Sequence, residues 1–147
     1  MLARELADAT FPTVTLDSDA AEAARLIGAR RLPGLVVVDS AGLPYAILPG
    51  SQVLRFVIPT YVQEDPTLAR VYDEKHADLL SRKLVGTPVR TLLRAERTEP
   101  PVVHGNATAV EIAAVMALLH SPLVAVVDAG QLLGVVTVGR LLDRLLP

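Results

Sequence analysis

The chain repeats one pattern twice, at an offset of 89 residues. In both copies a glutamate is followed eleven residues later by a proline, and seventeen residues later by an aspartate that ends an apolar run. An internal repeat of this kind constrains the fold more than any single motif does. Two similar units are expected to pack on each other, and the cleft between them is the candidate site. The repeated positions are Glu22, Pro33 and Asp39 in the first copy and Glu111, Pro122 and Asp128 in the second.

Each copy predicts five elements in the order β-α-β-β-α. A candidate N-cap precedes a helix, and the β-branched run that follows is typical of a buried, parallel strand. A turn signal then joins this run to a further strand in a hairpin. In the first copy, strands are expected at 12–16, 35–38 and 45–48, and helices after 17–19 and at about 50–57. In the second copy, strands are expected near 102–103 and at 123–127 and 132–137, and helices at about 107–119 and 138–146.

Residues 58–100 lie between the strongest parts of the two copies, and a connection of this length predicts structure of its own. The segment from Asp65 to Leu84 has the apolar spacing of an amphipathic helix. A short helix is also predicted in 87–93, and its sequence echoes Ala3-Arg4-Glu5-Leu6 ahead of the first copy. We therefore expect one compact module with repeat 1 at 1–58, an inserted helical linker at 59–86 and repeat 2 at 87–147.

Composition argues against several function classes. The net charge of −2 leaves no basic surplus to neutralise nucleic-acid phosphates. The chain has no cysteine, which excludes disulfides, thiolate metal sites and a cysteine nucleophile. Its most apolar stretch, 123–142, contains Asp128 and Arg140 and does not predict a membrane span. Because no signal-peptide pattern is present at the N-terminus, we expect a cytoplasmic protein.

The patterns of catalytic sites are not found in the sequence. The three histidines, His76, His104 and His120, are isolated and lack metal-ligand spacing. No serine lies in a nucleophile elbow, and there is no glycine-rich phosphate loop. The acidic residues between 65 and 78 are interspersed with Arg70, Lys75, Arg82 and Lys83, which is typical of a solvated helix surface. We expect a non-enzymatic protein without a metal centre.

The final helix of each copy, at 53–58 and 141–146, carries more apolar residues than one face of a small monomer can bury. Exposed apolar surface of this kind is typical of an interface, so a homodimer is expected.

Asp39 and Asp128 each end an apolar strand just ahead of a glycine-containing turn. An aspartate in this position can accept hydrogen bonds from backbone N–H groups of the turn. Both residues are therefore expected to be structural, and Asp128→Asn is expected to cost little stability.

The duplicated pattern resembles a pair of cystathionine-β-synthase (CBS) domains, the arrangement called a Bateman module. The resemblance covers nearly the whole chain apart from about 58–86. It implies an α/β fold of two β-α-β-β-α units that pack sheet to sheet about a pseudo-twofold axis, with the inserted helix between them, and a module of this kind usually forms a homodimer. The matching tokens lie at 13–17, 22–23, 37–39 and 42–48 in the first copy and at 106–111, 126–128, 130 and 132–137 in the second.

The resemblance also implies two clefts at the sheet interface that hold adenosine nucleotides. In the family pattern, Thr/Ser-x-x-Asp follows the second hairpin strand, and its carboxylate accepts hydrogen bonds from both ribose hydroxyls. Here the aspartate position is Gln52 in the first copy and Arg140 in the second, while the Thr position is Pro49 and Thr137. Glutamine keeps one acceptor for a ribose, whereas arginine offers only donors and favours a phosphate. The implied contacts are Thr13, Thr15, Leu35 and Gln52 in the first cleft and His104, Val124, Thr137 and Arg140 in the second.

Two functional hypotheses remain open. One is a regulatory sensor that binds AMP, ADP, ATP, S-adenosylmethionine or a related anion and acts on a separate enzyme or transporter. The other is a degenerate pair without nucleotide binding that serves as a dimerisation or scaffold module. The absence of aspartate at both 52 and 140 favours the second.

Overall fold

The structure, a computed structural model, describes residues 1–71, 74–96 and 98–147. Its named strands form two three-stranded sheets with the same topology. In each sheet the first strand pairs in parallel with the second, and the second pairs antiparallel with the third. The first sheet contains β1 (Thr13–Thr15), β2 (Gly34–Val38) and β3 (Pro44–Pro49), and the second contains β4 (Val102–His104), β5 (Leu123–Asp128) and β6 (Gln131–Thr137).

The helices complete two β-α-β-β-α units and confirm the predicted fold class. The first helix of each unit begins at a side-chain cap, Asp19 or Thr108, as polar residues before an apolar run predict. None of the helices in the described ranges has the length and hydropathy of a membrane span. The helices are α1 (Ala3–Leu6), α2 (Ala20–Arg30), α3 (Gly50–Val57), α4 (Thr60–Glu64), α5 (Glu74–Ser81), α6 (Ala109–Leu119) and α7 (Val138–Leu145). We use repeat 1 for β1–β3 with α2 and α3, and repeat 2 for β4–β6 with α6 and α7.

Side-chain alternation along the strands separates three layers of core. On β2, Leu35 and Val37 pack towards the helices of repeat 1, whereas Val36 and Val38 pack towards the other sheet. Leu123 of β5 lies in the same layer between the sheets. Because successive strand residues point to opposite faces, a strand covered on both faces is apolar throughout. The sheets therefore pack face to face, with the helices outside.

The inserted linker is helical, as predicted, but it is not the single α-helix expected from Asp65 to Leu84. It contains the 3₁₀ segments Pro66–Val71 and Arg82–Leu84 in addition to α4 and α5, and residues 72 and 73 of the predicted helix lie outside the described residues. Leu68 and Leu79 are 40% and 50% exposed. An amphipathic helix is held mainly by burial of its apolar face, and this linker buries little of it.

We use leading segment for the chain directly ahead of β1 (residues 2–12) and directly ahead of β4 (residues 88–101), and each of the two packs on the other repeat. The backbone N–H of Ala3 donates to the carbonyl oxygen of Ala107 in repeat 2 at 2.7 Å. Conversely, the N–H of Val89 donates to the carbonyl oxygen of Ser18 in repeat 1 at 2.8 Å. Each repeat therefore takes part of its core from the segment that precedes the other repeat.

Candidate ligand-binding cleft

A cavity of about 550 Å³ lies between repeat 1 and the segment that leads into repeat 2. This volume is within the range of small-molecule sites. Its walls come from Leu16, from β3 and the start of α3, from residues between Arg90 and Pro101, and from the turn before β5. The side chains used below are Tyr45, Ile47, Gln52, Arg90, Arg94 and Leu119.

Hydrogen-bond donors from the start of α3 and from the segment ahead of β4 line this cavity. Arg94 Nε lies 3.5 Å from Gln52 Oε1. A guanidinium has no acceptor, so the amide oxygen of Gln52 faces Arg94 and the NH₂ group is left to donate. Arg90, on the same wall, forms an ion pair with Asp17. This arrangement suits an anionic group better than it suits a ribose diol, for which Gln52 was expected to act as an acceptor.

The equivalent region of repeat 2 is filled by the chain itself. The N–H of Asp8 donates to the carbonyl oxygen of Val135 at 2.9 Å, and the N–H of Val135 donates back to Asp8 at 3.2 Å. A Cβ atom on Gly134 would lie 2.6 Å from the carbonyl oxygen of Asp8. In repeat 1 the matching position is Ala46, which lines the open cavity. Glycine is thus required where the leading segment crosses β6.

The lengths of the leading segments explain why one cleft is open and the other closed. Five residues lie between Leu6 and Pro12, whereas eight lie between the matching Leu92 and Pro101. The shorter segment lies against β6, and the longer one forms a wall of the cavity.

Arg140 is part of this closure. Its Nε donates to the carbonyl oxygen of Leu6 at 2.6 Å. Thr137, at the matching Thr position, accepts a hydrogen bond from the N–H of Arg140 at 3.2 Å and caps α7. An arginine is suitable here because the leading segment offers a backbone acceptor where the family pattern implies a ribose diol.

The eight implied contacts are not brought together. Gln52 lines the open cavity, and the other seven are not among its lining residues. Leu35 and Val124 are fully buried against the helices, because their neighbours in sequence take the face between the sheets. Thr13 borders a shallower cavity of about 310 Å³ beside the hairpin turns, and the N–H of Thr15 donates to Ser18 Oγ at 2.9 Å.

The sequence reasoning passed over Tyr45, Arg90 and Arg94, which line the cavity. Arg90 lies in the segment that echoes Ala3–Leu6, and this echo was a usable signal that the leading segments approach the clefts.

The structural role predicted for Asp39 is confirmed. Its Oδ1 accepts hydrogen bonds from the N–H groups of Ala41 and Leu43 at 2.9 and 3.0 Å.

Asp128 differs from the predicted turn acceptor. Its carboxylate lies 3.2 Å from Arg4 Nη2 and 3.0 Å from His104 Nε2. The hairpin that follows is one residue shorter than in repeat 1, so Asp128 pairs directly with Gln131 across a tight turn with positive φ at both central residues. Its carboxylate instead contacts the leading segment through Arg4.

Asp8, whose backbone lies on β6 in the closed cleft, has a lowered pKa. The hydroxyl of Thr10 donates to Asp8 Oδ1 at 2.6 Å, and the Thr10 N–H donates to the same atom at 2.9 Å. Both hydrogen bonds lower the pKa of Asp8 below its ordinary value of 3.8, and the bond from the Thr10 hydroxyl has the larger effect. A carboxyl whose pKa is lower in the folded state stabilises the fold above its unfolded pKa, and this contribution is lost as pH falls through the folded pKa.

We expect Thr10→Val to raise the pKa of Asp8 towards 3.8, because the variant lacks the hydroxyl whose hydrogen bond lowers this pKa most. The acid-induced loss of stability associated with Asp8 becomes smaller in this variant. Carboxyl NMR titration measures the shift, with Thr13→Val on the exposed surface of β1 as the control. An unchanged Asp8 pKa in Thr10→Val contradicts this assignment.

Comparison with known proteins agrees with this architecture. The family model of the CBS domain matches residues 89–147. A CBS domain-containing protein of unknown function from Kribbella flavida is similar at 50% identity with a TM-score of 0.85, over 100% of this chain and 99% of that one. The CBS-pair protein CBSX2 from Arabidopsis thaliana is similar in fold, at 19% identity and a TM-score of 0.75, over 99% of this chain and 94% of that one.

A further structure, of CBSX2 in complex with AMP, has 18% identity and a TM-score of 0.69 over 99% of this chain and 96% of that one. No curated protein matches the chain significantly. With half of its residues identical to the Kribbella protein over the full length, and with two units of the same topology, the chain belongs to the CBS-domain family and forms a CBS pair.

Proposed function

We propose that this chain is a regulatory module that binds an adenine nucleotide or a related anion, one per chain, in the cleft of repeat 1. The observation that carries the proposal is the 550 Å³ cavity with the donors of Gln52 and Arg94 on its wall. The structure of CBSX2 in complex with AMP is a precedent for nucleotide binding on this fold. The module acts on a separate enzyme or transporter.

The cavity combines two kinds of surface that a nucleotide needs. Tyr45, Ile47 and Leu119 offer aromatic and apolar area for a base. Arg94 and the NH₂ group of Gln52 offer donors for a phosphate, and Gln52 lies in the first turn of α3, where the helix dipole favours negative charge. Charge-assisted hydrogen bonds of this kind are stronger than those between neutral groups.

Because the cleft of repeat 2 is closed, we expect one ligand per chain. A ligand there would have to displace the Asp8 backbone from β6 and the Arg140 side chain from Leu6.

Isothermal titration calorimetry with AMP tests the proposal. We expect about one AMP per chain and about tenfold weaker AMP binding in Arg94→Gln, because one charge-assisted hydrogen bond is removed. Adenosine binding is expected to change much less, since adenosine carries no phosphate. Arg25→Gln, on the outer surface of α2, is the matched control and is expected to bind AMP as the wild type does.

Two outcomes contradict the proposal. Two equivalent sites per chain would show that the second cleft also binds ligand. Absence of binding to AMP, ADP, ATP and S-adenosylmethionine would remove the nucleotide function and leave the dimerisation or scaffold hypothesis.

A further inference from the structure

The wall of the open cavity carries charged side chains of both signs. Among the described residues that line it, those with basic or acidic side chains are Arg90, Arg94, Glu96 and Glu99. All four belong to the leading segment of repeat 2 or to its helical start. The charge of Arg90 is compensated, because this arginine is paired with Asp17. Three of the four charges are therefore left to act on a ligand.

These three charges are one cation and two carboxylates. Arg94 contacts only the neutral amide of Gln52. Glu96 and Glu99 are exposed, and neither forms a hydrogen bond or an ion pair with another residue that the structure describes. The described part of the wall thus has one uncompensated positive charge, and more negative charge beside it.

The fold does not need these carboxylates. In the shorter leading segment, residues 9–12 follow Asp8 and carry no charge, and this segment closes the cleft of repeat 2. In the longer segment, Glu96 and Glu99 follow Arg94, which matches Asp8. Because both glutamates are exposed, burial of their side chains does not contribute to the core.

The glutamates lie close to the group that would hold a phosphate. Glu96 is two residues from Arg94, so their Cα atoms are at most about 7 Å apart, and Glu99 is within about 18 Å. The screening length at physiological ionic strength is about 8 Å, so Glu96 in particular acts on charge next to Arg94 with little screening.

We propose that Glu96 and Glu99 are specificity-determining residues, which make this cleft select a nucleoside monophosphate over a diphosphate or triphosphate. This inference rests on the proposed function, in which Arg94 and Gln52 donate to one phosphate. Each further phosphate adds negative charge, and it meets a carboxylate where a polyphosphate site would offer a second cation. Repulsion of this kind selects against the wrong ligand without strengthening the binding of the right one.

A divalent cation would reverse the effect of the two carboxylates. Mg²⁺ is commonly held between carboxylates and the phosphates of a nucleotide. If the glutamates served that purpose, they would attract a triphosphate in the presence of Mg²⁺. The two roles predict opposite effects of the same substitutions, so nucleotide binding has to be measured both with EDTA and with Mg²⁺.

Isothermal titration calorimetry with AMP, ADP and ATP at pH 8 tests the selectivity. With EDTA, we expect the wild type to bind AMP about tenfold more tightly than ATP, with ADP between them. In Glu96→Gln/Glu99→Gln, ATP binding is expected to tighten about fivefold and AMP binding less than about twofold, because glutamine keeps the size of the side chain and removes its charge. Mg²⁺ is expected to leave AMP the preferred ligand of the wild type.

The matched control is Glu22→Gln/Glu64→Gln. It changes the net charge of the chain by the same amount, and both of its glutamates are exposed and lie outside the cavity lining. This variant is expected to keep the wild-type preference for AMP. Thermal unfolding establishes that both double variants are folded.

Three outcomes overturn the selectivity and leave the ligand site in place. These are equal binding of AMP and ATP by the wild type, an equal gain of ATP affinity in the control, and a preference for ATP with Mg²⁺ that Glu96→Gln/Glu99→Gln removes. Absence of binding of every nucleotide is a different result, since it overturns the proposed function and this selectivity with it.

Discussion

Gly134→Ala is expected to lower the free energy of unfolding by about 2–4 kcal/mol, because the new methyl group and the backbone of Asp8 cannot occupy the same space. The added Cβ would lie 2.6 Å from the Asp8 carbonyl oxygen and 2.7 Å from its carbon atom. The contact is with backbone, so no rotamer change relieves it. The leading segment must move away from β6, and two backbone hydrogen bonds are then lost. Chemical denaturation measures the change.

The control for this substitution is Gly139→Ala in α7. A Cβ at Gly139 would have no heavy atom within 4 Å. Alanine in a helix is more favourable than glycine by about 0.5–1 kcal/mol, so this variant is expected to be more stable than the wild type. Equal stability of the two variants would show that the leading segment does not lie on β6.

Leu6→Ala and Leu92→Ala are each expected to lower the free energy of unfolding by about 2–5 kcal/mol, the usual range for a fully buried leucine. Leu6 is 0% exposed in the core of repeat 2, and Leu92 is 1% exposed in the core of repeat 1. Because each leading segment belongs to the core of the other repeat, both variants are expected to unfold in one cooperative transition, as measured by near-UV and far-UV circular dichroism.

Leu54→Ala is the control for leucine truncation. Leu54 is 63% exposed on α3, and its truncation is expected to change stability by less than about 0.5 kcal/mol. Separate transitions for the two repeats in Leu6→Ala would contradict the exchange of leading segments.

The elements of both repeats could be predicted from the sequence because their signals are local. The run Leu35–Val38 is continuously apolar and mostly β-branched, and β2 is buried on both faces as that pattern predicts. The glycine-containing turns and the polar caps mark where these elements begin and end, as at Asp19 and Gly130. The helix predicted at about 50–57 is observed as Gly50–Val57.

The linker was harder to predict because local periodicity does not show whether an apolar face finds a partner. Leu84 is buried against repeat 1, whereas Leu79 stays half exposed. The linker accordingly contains the 3₁₀ segments 66–71 and 82–84 as well as the predicted α-helical structure.

The sequence by itself determined the duplication, the order of the elements and the unusual residues at 52 and 140. Only the tertiary structure decided which cleft is open. Closure depends on the Asp8 backbone crossing Gly134 and on Arg140 reaching the carbonyl oxygen of Leu6. These contacts join residues far apart in the chain, and their geometry depends on the packing of two sheets, so no local pattern of residues encodes them.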